Sequence, residues 1–164
     1  MDIGYSLKLK QISKTSKDLF EIRLIDENND DNIEVGLSDV GFGISQLLPF
    51  IVQSLAKSNQ LISIEQPEVH IHPQLQADLG DLLAHAIKKP LQNKFIIETH
   101  SEHLILRLQK LVRLKKIKNS DLSIIYVSKN NNCSIIKELK LDKDGYFTDD
   151  WPDGFFPERL NELI

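Results

Sequence analysis

Cysteine is nearly absent: Cys133 is the only one in 164 residues. A disulfide within the chain is therefore excluded, as is any zinc site built on cysteine pairs. No apolar run approaches the ~20 residues needed to cross a bilayer. Met1 is followed by Asp2-Ile3-Gly4-Tyr5 rather than by a basic and then apolar signal segment. The expected location is cytoplasmic, with no membrane partner. Internal repeats and low-complexity segments are missing too. Nor is there a basic excess: the net charge of -4 argues against a general nucleic-acid or membrane-surface binder, while leaving local patches open. What remains is ordinary for a globular chain, 41% hydrophobic and 27% charged, long enough for one sizeable core.

Residues 5–12 and 18–26 alternate apolar and polar side chains and read as half-exposed strands. The polar stretch 27–33 separates this hairpin from the rest. From Leu37 the texture changes. SDVGFGIS reads as a glycine-containing turn, with Ser38 and Asp39 as candidate caps, running into a helix through SQLLPFIVQSLAKS in spite of Pro49. A strand over 61–65, a loop over 66–72 and a helix over 73–88 beginning on Pro73 follow. A second short strand spans 94–98, and Ser101 is positioned to cap a helix running to about Ile117. Residues 122–128 and 133–141 read as a hairpin, and the tail is rich in Gly, Pro and aromatics. Strand, helix, strand, helix implies an α/β fold with parallel core strands flanked by helices. Antiparallel hairpins stand at both ends. The expected organisation is an N-terminal hairpin region over 1–36, a core over 37–141 and a tail over 142–164.

In open parallel sheets, ligands gather at the carboxyl ends of the strands. Three polar clusters fall there. Glu65-Gln66-Pro67-Glu68 follows the first core strand, Glu98-Thr99-His100-Ser101 follows the second, and Gly41-Phe42-Gly43-Ile44-Ser45-Gln46 opens a helix. A glycine turn at a helix N-terminus suits an anion, because free N–H groups and the helix dipole favour phosphate. A strand-end carboxylate can hold Mg²⁺ directly or through water. A neighbouring histidine could reach a terminal phosphate. Together these make half of a nucleoside-triphosphate site.

With that order of motifs the chain resembles the C-terminal half of ABC-type ATPases, in the branch of the SMC, RecF and OLD proteins. VGFGISQ looks like a variant ABC signature, LISIEQPE a Walker B strand, EVHIHP a D-loop and IIETHSEHL a switch-histidine segment. The tail from Asp150 to Phe156, DWPDGFF, is similar to that of a group of AAA-class ATPases. The resemblance implies a P-loop NTPase-like fold, with ATP and Mg²⁺ in the intact protein. It implies that Glu65 is the Mg²⁺-linked acid and His100 the γ-phosphate sensor. Gly41, Gly43, Ser45 and Gln46 would fall in the signature loop, which meets the nucleotide of the opposite subunit of a homodimer. Ser38 is a rival for the signature serine. Gln66 stands where these ATPases carry the glutamate that polarises water, and an amide cannot act as a base. Glu68, two residues on, is the substitute the spacing offers. No GxxxxGK[ST] occurs, so the expectation is a fragment or half of a split ATPase, inactive alone, whose P-loop lies in an upstream lobe or a partner chain.

Other readings compete. A non-catalytic module completing a partner's ATPase site is the main alternative, and a nuclease of the OLD type ranks below it, because the segment LSIIYVSKNNNCSII shows no Asp-x-Asp after a strand. His70 and His72 alternate as zinc ligands do, but with no third ligand in the pattern they read as loop or dimer-surface residues. His100 could equally be a hydrogen-bonded strand-end residue. Arg107, Lys110, Arg113, Lys115, Lys116 and Lys118 form a basic run. It reads as a solvated helix face before it reads as a nucleic-acid surface, and a role on DNA or in phage defence is analogy alone. Trp151, Phe155 and Phe156 are expected to fold back on a sheet edge, and Cys133 to pack within a strand.

Overall fold

A computed structural model describes residues 5–13, 19–27, 33–131 and 133–150. The chain divides into two compact units, Met1–His100 and Ser101–Ile164.

The first unit begins with an antiparallel sheet in the order β1-β2-β3, with β1 at Tyr5–Gln11, β2 at Phe20–Asp26 and β3 at Glu34–Gly36. Pairing Leu7 with Leu24 and Leu9 with Ile22 puts these four apolar residues on one face. Leu24, at 1% exposure, anchors that face. Strand β3 lies on residues that sequence periodicity leaves unassigned, because three residues are too few to display an alternation.

Helix α1 spans Phe42–Ala56, strand β4 Leu61–Glu65, helix α2 Pro73–Ala86 and strand β5 Lys94–Glu98. β4 and β5 run parallel, with Ile62 opposite Phe95 and Glu65 opposite Glu98. Their inward face carries Ile62 and Phe95, and the Phe95 ring meets Phe50 of α1 edge-on at 6.0 Å. Leu47 and Leu48 of α1 and Leu79, Leu82 and Leu83 of α2 complete the core. Each such side chain contributes roughly 1.5–3 kcal/mol through burial. The opposite face of the pair is open, with Leu61 at 67% and Ile96 at 59% exposure.

The parallel pair is pinned at its amino end by Asn93, which is 2% exposed. Its Oδ1 accepts from the Gln60 N–H at 2.9 Å, and its Nδ2 donates to the carbonyls of Ser54 and Lys57, each at 2.9 Å. One amide thus satisfies the C-terminal carbonyls of α1 and the first N–H before β4, which helix and ladder both leave without partners.

In the second unit, α3 spans Glu102–Arg113, and β6 (Ile124–Asn130) pairs antiparallel with β7 (Cys133–Leu139). Ser101 caps α3, its Oγ accepting from the Leu104 N–H at 3.0 Å. One bound differs from expectation. The helix stops at Arg113 rather than near Ile117 because Lys115 turns left-handed at φ 56°. The Lys115 and Lys116 N–H groups then donate back to Val112 and Leu111, a Schellman closure built without glycine. Lys115, Lys116 and Lys118 therefore lie beyond the helix and not on its face. Arg113 stacks over Tyr146 at 4.6 Å. Cys133, expected to pack, is exposed. The expected fold-back of Trp151, Phe155 and Phe156, and all of DWPDGFF after Asp150, lie outside the described residues.

Candidate functional site

The rim at the carboxyl ends of β4 and β5 is set by their register. Glu65 ends β4, Glu98 ends β5, and the two face each other across the pair. In a parallel pair, opposed residues project from the same face, so two exposed carboxylates stand together there. Glu98 belongs to a cluster evident from sequence, but its placement opposite Glu65 follows only from the register.

Past Glu65 the chain bends sharply. Gln66 takes the left-handed region at φ 46° while its N–H donates to the Glu98 carbonyl at 2.7 Å. A non-glycine residue held there costs of order 1 kcal/mol, and such strain gathers at functional sites. Gln66 is half-buried and Glu68 is 7% exposed. Glu68 Oε1 accepts from the His100 backbone N–H at 2.7 Å. Glu68 Oε2 is buried without a hydrogen-bond partner. The loop after β4 is thus tied directly to the residue after β5. His100 itself is exposed.

The same loop meets the start of α1. A Cβ on Gly43 would lie 2.2 Å from the His70 carbonyl oxygen, so only glycine permits this approach. The His70 ring meets Phe42 edge-on at 5.2 Å. Gly41, by contrast, faces open space. It is the N-cap of α1, with no side-chain cap and no acidic residue in the first turn. Asp39 does not cap this helix: its Oδ2 accepts from the Gly36 N–H at 2.9 Å. Ser38 contacts Asp39. Because α1 starts at Phe42, Gly43, Ser45 and Gln46 belong to the helix rather than to a loop before it. The Ser45 hydroxyl donates to the Phe42 carbonyl at 2.9 Å, and Gln46 is exposed.

Of the two loop histidines, His72 is the N-cap of α2, its Nδ1 accepting from the Gln74 N–H at 3.2 Å. Among the described residues, no three of His, Cys, Asp and Glu cluster to hold a metal ion. A magnesium nucleotide needs no such cage, since one or two carboxylates with phosphates and water complete its shell. The oxygen donors Glu65 and Glu98 suit that hard cation, and the uncapped α1 N-terminus suits phosphate. The rim carboxylates therefore suit the Mg²⁺, and the α1 N-terminus a phosphate, of the kind of ligand that the resemblance implies.

Comparison with solved structures yields an SMC ATPase, from work on ATP-driven dimerization and DNA-stimulated activation of SMC ATPases. The two share 16% identity with a TM-score of 0.62, over 98% of this chain and 82% of that one. At that identity the likeness speaks to fold: a mixed α/β structure of the P-loop NTPase class. Among the described residues, no helix is long and apolar enough to cross a membrane. A search of curated proteins found no match. The family model for the AAA ATPase domain matches residues 3–105, which include the signature-like turn, both rim strands and His100. The chain belongs to the AAA ATPase domain family.

Proposed function

We propose that this chain is the C-terminal lobe of an ABC-type ATPase, acting in ATP binding and hydrolysis where two subunits meet. The observation that carries the reading is the rim itself: Glu65 and Glu98 opposed in register, with His100 two residues beyond and tied by its amide to the loop after β4. Glu65 would hold Mg²⁺ and His100 would contact the terminal phosphate. The first turn of α1, around Gly43 and Ser45, would meet a nucleotide held by the opposite subunit. The P-loop, absent from these 164 residues, would come from an upstream lobe or a partner chain. Bound Mg²⁺·ATP would supply a polarised, transferable phosphoryl group, and Glu65 and His100 would orient it for attack by water. Closure of the dimer would follow from contacts made only in the closed state. A role on DNA rests on the neighbour's description alone.

Gln66 favours a second reading, a non-catalytic lobe that completes a partner's site, because its amide cannot take a proton from water. One experiment separates the two. ATP binding and turnover are measured for the chain alone, then with a P-loop lobe supplied, using wild type and Gln66→Glu. The ATPase reading predicts turnover only in the mixture, raised by about 10²-fold or more in Gln66→Glu. Nucleotide binding without turnover in either mixture would favour the non-catalytic lobe. No nucleotide binding in any mixture would refute both.

A further inference from the structure

We infer that Glu68 is a positioning residue that holds the His100 backbone amide, and not the base that activates water. The rim ladder ends with Glu65 opposite Glu98, so the His100 N–H lies beyond the last strand partner and needs an acceptor from elsewhere. Glu68 Oε1 provides it at 2.7 Å, the length of a charge-assisted bond. A carboxylate acting as a base must reach the proton it removes, directly or through one water. Glu68 is 7% exposed. One of its oxygens is committed to the amide, and the other is buried with no partner.

The backbone that carries Glu68 is itself held. Gln76 Nε2 donates to the Glu68 carbonyl at 3.4 Å and to the Ile71 carbonyl at 3.1 Å. The Val69 N–H donates to Gln66 and the Ile71 N–H to Glu68. Gly43 of α1 closes on His70 from the other side. A side chain held on a fixed loop, with one oxygen on a strand-end amide, sets where the next side chain begins. For His100 this defines the direction in which the imidazole leaves the rim. Glu68 acts through His100 and touches no reacting atom.

The hydrogen bond is tested in the full 164-residue chain without nucleotide, independently of the ATPase reading. In wild type, a scalar coupling across the bond is expected between the His100 amide nitrogen and the Glu68 carboxyl carbon. Glu68→Ala is expected to speed His100 amide exchange by about tenfold or more. Glu68→Gln should leave it near wild type, because its amide oxygen still accepts. Absence of the coupling, or unchanged exchange in Glu68→Ala, overturns the assignment. If Glu68→Ala does not fold, the wild-type coupling and Glu68→Gln decide. The role rests on the proposed function and is tested in the mixture with a P-loop lobe. Positioning predicts that Glu68→Gln keeps most of the turnover. Loss of turnover in Glu68→Gln with the His100 amide still protected would make Glu68 the base. Should the wild type not turn over at all, the ATPase reading fails while the coupling still decides the bond.

Discussion

Replacing Gly43 by alanine sets two known effects against each other. In a helix, Gly→Ala gains about 1 kcal/mol at most, and less in a first turn. Against this, the new Cβ would stand 2.2 Å from the His70 carbonyl oxygen, 2.8 Å from its carbon and 2.8 Å from Ile71 Cγ2. Two of those atoms are backbone, so no rotamer change relieves the contact. The loop must retreat by roughly 1 Å to reach ordinary contact, and it contains His70 at φ 65° and the Glu68–His100 bond. Overpacking of this kind costs about 1–3 kcal/mol. The clash outweighs the propensity gain, and a net loss of about 1–2 kcal/mol is expected. That corresponds to a Tm lower by about 2–8 °C for a chain of this size. Gly41→Ala is the control, since nothing lies within 4 Å of its added methyl. Thermal unfolding followed by circular dichroism, with amide exchange over 66–72, reads both variants. Gly43→Ala as stable as wild type, with unchanged loop exchange, would refute the close approach.

Asn93→Ala removes three hydrogen bonds at once and strands the buried Ser54 carbonyl. Water can reach the part-buried partners, so denaturant unfolding should register a loss of about 2–4 kcal/mol rather than the full sum. Lys115→Gly relieves a left-handed lysine at the end of α3 and should stabilise by about 1 kcal/mol in the same assay. The Glu34 carboxyl titrates below its ordinary value, first through its hydrogen bond with Lys8 and then through the charge of that lysine. A depressed folded-state pKa stabilises above the unfolded value and loses that contribution as pH falls through the folded one. Lys8→Met should therefore return Glu34 to the ordinary glutamate range in an NMR titration. Any stability gap from wild type should close on the acid side.

The sequence made the parallel pair legible because LISIE and KFIIE are short apolar runs bounded by polar turns. The observed strands, Leu61–Glu65 and Lys94–Glu98, have those bounds. Ser101 was legible as a cap because a hydroxyl just before an apolar helix has one common use. The end of α3 was not, because Lys115 carries no sign of a left-handed turn that glycine would have marked. Asn93 was missed for a related reason: its three partners lie on segments 33 to 39 residues away, and no local pattern encodes them. At the rim, the motif order identified Glu65, Gln66, Glu68 and His100 as neighbours. That Glu68 is buried, and that Glu98 faces Glu65, are products of register and loop path. Gly43 was expected for its phosphate-binding turn, and the packing reason for it emerges only with His70 alongside.

The claim that nucleotide meets the β4–β5 rim is tested most directly by paramagnetic broadening. Mn²⁺·ATP is added to the isotope-labelled chain together with a P-loop lobe, and amide signals are followed residue by residue. With nucleotide at the rim, the amides of Glu65, Glu98 and His100 broaden first, while those of β1 and β2 do not. Broadening confined to other parts of the chain, with the rim signals unchanged, would contradict it.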